Sequence, residues 1–380
     1  MSYKIRPIAI HLPQFHPIPE NDAWWGKGFT EWTNVAKAKP FFKGHYQPHL
    51  PADLGFYDLR LEEARLAQEA LAKQYGIFGF CYYHYWFNGK RILYEPVERK
   101  LRNPKEDMPF MLCWANENWT KVWDGNESEV LLKQEYSLED DCQHIRYLIP
   151  FFKDSRYIKI DGKPVFAIYR STLLPDVYNT IKVWREEARR HGIELYICRF
   201  ESKMSAGKQY MDGFDAAIEF PPHISLPPVA TLKDRISLDI LSRSIRYRFN
   251  KYLSKIYPVK SRISAGVIRE YADILNASLE KQKNKIDYKL YHTVTPGWDN
   301  SARRSTEFLV LNNSTPELFE SWVFQSLQNF KPYSEEENLF FINAWNEWAE
   351  GNHLEPDQKW GLAYLDALKN GIEKFVRTIG

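Results

Sequence analysis

Two carboxylates three residues apart, Glu347 and Glu350, stand in the run Asn343-Ala-Trp-Asn-Glu-Trp-Ala-Glu-Gly351 among Trp345, Asn346 and Trp348. Paired carboxyl groups framed by indole rings suit acid/base chemistry on a sugar. One group serves the glycosidic oxygen, the other an adjacent hydroxyl or water, and the rings stack on pyranose C–H faces. The alternative is a solvated pair on a loop or helix. The preceding Leu339-Phe-Phe-Ile342 reads as a buried strand, so the pair falls where a strand ends.

Acids in that position need a frame that carries a strand end to a pocket. The chain alternates short apolar runs with amphipathic stretches. Strands are expected over 7–12, 77–84, 109–114, 164–169, 194–198, 215–219, 289–294 and 339–344. Helices are expected over 59–75, 141–152, 176–191, 265–283, 316–330 and 362–376, with a shorter one before 109. The strand candidates lack two-residue alternation, as strands buried on both faces should. Eight of them, mostly separated by helices, predict an α/β fold, a (β/α)8 TIM-type barrel, rather than an open doubly wound sheet. No glycine-rich phosphate fingerprint follows the first strand, which argues against a dinucleotide fold.

In such a barrel chemistry belongs at the C-terminal ends of the strands. Polar and aromatic residues gather there: His11 and Gln14 after the first strand, Tyr83 and His84 after the second, Trp114, Asn116 and Glu117 after the third, and Trp298, Asp299 and Arg303 after the seventh. Asn346, Glu347 and Glu350 follow the eighth. A long aromatic loop follows strand 1, and its Trp24, Trp25, Glu31 and Trp32 would floor a sugar site or pack as a lid on themselves.

Composition narrows the classes. The apolar fraction is 44% and supports a real core; aromatics reach 16%, with 13 Trp and 23 Tyr, more than packing requires. A net charge of +2 with mixed signs gives no footprint for nucleic acid. Cys81, Cys113, Cys142 and Cys198 form no CxxC pair and read as free thiols of a reducing compartment. The N-terminus carries no apolar leader and no run is long enough to span a bilayer, so a soluble cytoplasmic protein is expected.

Longer motifs carry a resemblance. The run Ile10-His-Leu-Pro-Gln-Phe-His-Pro-Ile-Pro-Glu-Asn-Asp-Ala-Trp-Trp-Gly-Lys-Gly-Phe-Thr-Glu-Trp-Thr-Asn34 resembles the opening of the WbsX family, as do Gly44-His-Tyr-Gln-Pro-His-Leu-Pro51 and Leu54-Gly-Phe-Tyr-Asp58. Trp114-Ala-Asn-Glu-Asn-Trp119, Pro296-Gly-Trp-Asp-Asn300 and Trp345-Asn-Glu-Trp-Ala-Glu-Gly351 extend the likeness over nearly the whole chain. The family is found in bacterial O-antigen and capsule assembly clusters and is similar to glycoside hydrolase family 99, the endo-α-mannosidase group. That resemblance implies a barrel without a metal cofactor. It implies Glu347 as the base that draws a proton from the substrate 2-hydroxyl, and Glu350 as the acid that protonates the departing oxygen and then activates water. Configuration would be retained through a 1,2-anhydro sugar, with the 2-hydroxyl as an internal nucleophile at high effective molarity. Outside this motif the sequence departs from family 99, so neither mannose preference nor endo cleavage is carried over.

Other residues leave two readings open. Glu117 is a third carboxylate for the site or a loop-fixing acceptor. Asp299 and Arg303 bind substrate or pair with each other. His45 and His49, with His11, His16 and His84, would gather on a metal or, as favoured here, make pocket hydrogen bonds; no metal and no cofactor are expected. Residues 231–262, after strand 6, hold nine Lys/Arg against Asp234 and Asp239, interleaved with apolar residues. This basic insertion is a solvated excursion or a peripheral contact with an anionic membrane at its inner face.

The reading is therefore a single catalytic domain over 1–380, interrupted by 231–262. It would act on glycosidic bonds of an oligo- or polysaccharide, lipid-linked in one version. Glycosyl transfer in O-antigen or capsule assembly is one alternative; a non-catalytic glycan-binding protein on the same scaffold is the other.

Overall fold

Eight parallel strands close on themselves in the computed structural model of the chain, which describes residues 5–121, 126–223, 267–304 and 308–379. They are β1 (Arg6–His11), β2 (Gly79–Phe87), β3 (Phe110–Trp114), β4 (Lys163–Ile168), β5 (Tyr196–Glu201), β6 (Ala216–Glu219), β7 in two pieces (Leu290–Tyr291 and Thr293–Val294) and β8 (Leu339–Ile342). The hydrogen-bonded order is 7-6-5-4-3-2-1-8-7, because the first piece of β7 pairs with β6 and the second with β8. Ile8 of β1 sits opposite Gly79 on one side and Phe341 on the other. Gly79 has a steric reason: a Cβ there would stand 2.7 Å from the Pro109 carbonyl oxygen, so only glycine lets β2 meet the start of β3.

Both faces of the barrel wall are covered, which explains the continuous apolar runs. Helices Glu62–Gln74, Glu95–Arg102, Leu138–Lys153, Val177–Arg190, Tyr271–Gln282, Pro316–Asn329 and Ala363–Ile379 lie between or after the strands. Several start at side-chain caps: Ser137 accepts from the Asp140 N–H, Asp176 from Asn179 and Thr315 from Leu318. Between β5 and β6 the described residues hold two short 3-10 turns, Lys203–Ser205 and Lys208–Tyr210.

The barrel expected from the sequence is thus present, with local differences. β2 runs on to Phe87 and takes Tyr85 and Trp86 into the strand. β5 reaches Glu201, so Arg199 and Glu201 are fully buried in the wall, 3.7 Å apart, rather than at its mouth. The helix expected from 265 begins at Tyr271; Val267–Glu270 instead forms a two-stranded parallel sheet with Leu309–Asn312. The two β-branched residues at its start favour extended backbone. The four cysteines are unpaired, three of them buried on β2, β3 and β5. The basic insertion 231–262 lies outside the described residues. Among the described residues no helix is long and apolar enough to cross a membrane.

Candidate active site

The turn after β8 gives the two acids a common direction. Asn346–Glu347 pairs antiparallel with Asn352–His353, and a 3-10 turn, Trp348–Glu350, closes the hairpin. Glu347 caps this turn and Glu350 ends it, and both side chains line the same cleft. Gly351 ends the turn with φ at +55°, and a Cβ there would meet the Asp299 Cβ at 2.8 Å. That close approach packs the hairpin against the loop after β7, where the Asp299 N–H donates to the Glu350 carbonyl.

Asn346 locks the hairpin to the barrel. Its Oδ1 accepts from the Leu12 N–H at 2.7 Å and its Nδ2 donates to the Leu12 carbonyl at 3.0 Å. The end of β8 is thereby clipped to the end of β1. Replacing Asn346 with Ala leaves both buried Leu12 groups without those partners and is expected to cost about 2–4 kcal/mol. Urea unfolding of the two proteins measures it, and a loss below about 0.5 kcal/mol, the level of a neutral surface change, would contradict the clip.

A third carboxyl comes from the loop after β1. Thr30 and Thr33 cap the short helix Glu31–Val35 reciprocally. Glu31 then accepts from the Ala349 N–H at 3.2 Å, inside the acidic turn. Glu31, Glu347 and Glu350 all line a cleft of about 830 Å³. Trp24, Trp25, Trp119 and Tyr85 form one aromatic wall, with the Tyr85 and Trp119 rings 5.3 Å apart. Trp298, Phe220, His223 and Tyr169 form another, with His223 edge-on to Trp298 at 4.9 Å.

Burial dominates the electrostatics. It pushes the Glu347 carboxyl well above the ordinary range, with the Glu350 and Glu31 charges adding and Arg303 opposing. Burial also raises Glu350, but Arg303, ion-paired to it, and Arg304 pull back. Burial carries Glu31 up to about 7, against the pull of Arg303. The pair titrates as a unit. The guanidinium beside Glu350 favours the charged form of that acid over the charged form of Glu347.

Of the residues singled out in the sequence, Gln14, Trp24, Trp25, Glu31, Tyr83, Glu117, Trp298, Arg303, Glu347 and Glu350 line this cleft. The others lie elsewhere. His11 is buried behind β1, its Nε2 3.1 Å from Gln68 of the first barrel helix. His84 faces outward to His144 at 2.9 Å, and Trp114 donates its indole N–H to the Trp86 carbonyl and packs on Trp184. Alternation along the strand is the reason: Tyr83 and Tyr85 point into the cleft, so His84 and Trp86 between and beyond them point to the helices. Asn116 is fully buried and ties the Arg170 N–H and carbonyl to its own loop.

Trp345 is fully buried against Phe80, and Trp348 stacks on His353 at 3.8 Å while its indole N–H donates to Glu355. Trp32 donates to the Tyr57 carbonyl and packs on Trp348. These three indoles and Asn346 support the acids from below rather than facing a ligand. Asp299 turns away as well: its Oδ2 takes the His45 ring at 2.6 Å and Gln47 at 2.7 Å, so its ion pair is not with Arg303. Glu117 does both things open to it, lining the cleft while accepting from Arg170 at 2.9 Å. The five histidines considered for a metal do not converge; His16, for one, is buried with neither ring nitrogen hydrogen-bonded.

Cleft residues not singled out as sugar-binding include Tyr85, Trp119, Tyr169, Arg170, His223 and Arg304. Tyr85, Trp119 and Arg170 stood at expected strand ends and carried that signal. His223 and Arg304 had none, since neither belongs to a motif.

The model of a family described as "Glycosyltransferase WbsX" matches residues 7–368. The chain belongs to the WbsX family. Across 371 residues it is 39% identical to the protein named "Uncharacterized protein WxcX" of Xanthomonas campestris pv. campestris, covering 97% of this chain and 49% of that protein. The chain thus spans about half the length of the curated relatives it matches. Among solved structures this WbsX-family chain is similar to the GH99 endo-alpha-mannosidase from Bacteroides thetaiotaomicron, at a TM-score of 0.57 and 12% identity, with 98% of each chain covered. It is also similar to a structure titled "Glycoside hydrolase-like protein", at a TM-score of 0.59 and 14% identity, covering 98% of this chain and 95% of that one. At such identities the WbsX-family chain shares the fold of these proteins.

Proposed function

We propose that this WbsX-family chain is a carbohydrate-active enzyme that works on glycosidic bonds of a bacterial oligo- or polysaccharide with Glu347 and Glu350, retaining configuration. The observation that carries the reading is the meeting of two burial-raised carboxyls from one tight hairpin with a cleft walled by aromatic rings. Glu347 takes a proton from the hydroxyl beside the anomeric carbon, and that oxygen displaces the leaving group as Glu350 protonates it. Water then opens the anhydro sugar, giving its proton to Glu350 while Glu347 returns its own to the oxygen beside the anomeric carbon. The chemistry needs the pair's proton on Glu350, which Arg303 opposes, so substrate binding must bring the departing oxygen to Glu350 and favour the proton there. Trp24, Trp25, Trp119 and Trp298 supply faces for sugar rings, and Gln14, Glu117 and Arg170 supply polar edges.

The family's description favours a second outcome of the same chemistry, in which the activated sugar passes to another hydroxyl instead of water. In both versions the barrel is one catalytic domain interrupted by 231–262. Incubation with defined glycans and lipid-linked saccharides in oxygen-18 water, read by mass spectrometry, separates them. Label at the new reducing end is the expected result of hydrolysis, and an unlabelled, extended glycan is the result of transfer. Binding of glycans without any turnover would reject both and leave a glycan-binding protein.

A further inference from the structure

A second, smaller pocket of about 300 Å³ lies on the other side of the acidic hairpin, walled by Gly351 and Asp299 and floored by residues of the loop after β1. His49, His353 and Asp357 each offer it one ligand atom, and those three atoms lie within 4.8 Å of one another. Among the described residues this is the one such cluster of His, Cys, Asp or Glu. We propose that these three side chains bind a divalent transition-metal ion of the Zn2+ type, with a fourth position open to the pocket.

The chemistry of the donors fits. His353 Nδ1 lies 2.9 Å from the Glu355 carbonyl, which can only accept, so Nδ1 carries the proton and Nε2 presents its lone pair. A carbonyl that orients the non-ligating nitrogen is the usual support of a metal-bound imidazole. His49 Nδ1 stands 2.9 Å from that lone pair, and one proton bridges the two rings. A metal ion takes the place of that bridging proton once His49 shifts its own proton to Nε2. Ligands at about 2.0–2.1 Å on a tetrahedral Zn2+ are ~3.3 Å apart, so the rings need to part by only ~0.4 Å. Asp357 closes the set. Its Oδ1 is held by the Lys359 and Trp360 N–H groups at 3.0 and 2.6 Å; the Tyr46 hydroxyl also hydrogen-bonds this carboxylate and would share it with the ion.

The backbone that carries these ligands is already in place. Gln358 N–H donates to the Leu50 carbonyl and Ala52 N–H to the Pro356 carbonyl, each at 2.9 Å, so the loop after β1 and the chain after the hairpin run side by side. Of the carboxyl groups that border the pocket, Asp299 is engaged by His45 and Gln47 and Glu355 by Trp348, Tyr57 and Gln68, so Asp357 is the one placed to ligate an ion. The ion would staple the loop that supplies Glu31 to the segment that supplies Glu347 and Glu350. The inference is independent of the chemistry proposed for those acids.

The test uses the full chain, stripped with a chelator and dialysed. Zn2+ titrated by calorimetry is expected to bind one per chain with a Kd in the micromolar range or tighter and to raise the melting temperature. Asp357→Asn keeps the turn acceptor and removes the charge; His49→Gln removes one imidazole. Each is expected to weaken Zn2+ at least tenfold and to abolish the thermal shift. X-ray absorption of the zinc-loaded wild-type chain gives a readout that no variant's folding can obscure: two imidazoles are expected in its outer-shell scattering. Absence of binding, wild-type affinity in both variants, or a zinc spectrum without imidazole would each overturn the site.

Discussion

Glu350→Gln and Glu347→Gln are each expected to lower turnover by about 10²–10⁴-fold while leaving glycan affinity within a few fold. Glutamine preserves the size and most of the hydrogen-bonding reach of each side chain but cannot exchange a proton at the pH of the assay. The two variants also tell the roles apart. A leaving group that departs as a stable anion needs no acid, so an activated aryl glycoside should restore the first step of the Glu350 variant, read as pre-steady-state aryl release, and little of that step in the Glu347 variant. The opposite pattern would exchange the assignments. Retention of turnover within about threefold by both variants would remove the pair from the chemistry altogether.

The barrel was legible because its strands are buried on both faces. Eight short apolar runs, punctuated by Gly and Pro and separated by helical periodicity, leave few other architectures. The position of a residue along the chain was therefore readable, but the face of the strand it occupies was not. His84 and Tyr83 are neighbours at one strand end, yet one packs on His144 and the other lines the cleft. A period of two decides this, and a run that is apolar on both faces does not display it.

Aromatic content had the same ambiguity. Trp345, Trp348 and Trp32 occupy the richest motifs and are packing, because a turn that aims two carboxyls needs a rigid support. The support has its own buried acid, Glu355, which accepts from Trp348, Tyr57 and Gln68 and is pushed up to about 7 by burial. Nothing in the local pattern around Glu355 distinguishes it from a surface acid. The His49–His353 contact joins residues 304 positions apart, a juxtaposition created only by closing the barrel.

Arg303 is the group whose loss should move the pH dependence furthest. Its guanidinium pairs with Glu350 and lowers all three buried carboxyls, Glu31, Glu347 and Glu350, against the upward push of burial. A cation within this distance of a carboxyl holds its pKa down by about 1–3 units. Arg303→Met is expected to raise both limbs of the bell-shaped profile of kcat/KM, since each limb reports a proton leaving the same coupled pair. The acid limb moves up because the base holds its proton longer, and the alkaline limb moves up because the acid does too. The optimum should therefore shift upward by about 1–3 pH units. Arg303→Lys keeps the charge and is expected to leave the optimum within about half a unit, a shift below the lower bound for losing a neighbouring charge. A Met variant whose profile overlays the wild type would show that Arg304 or solvent sets the charge of the acids. A Lys variant that shifts as far as the Met variant would show that the reach and placement of the guanidinium, rather than its charge alone, is what Glu350 requires.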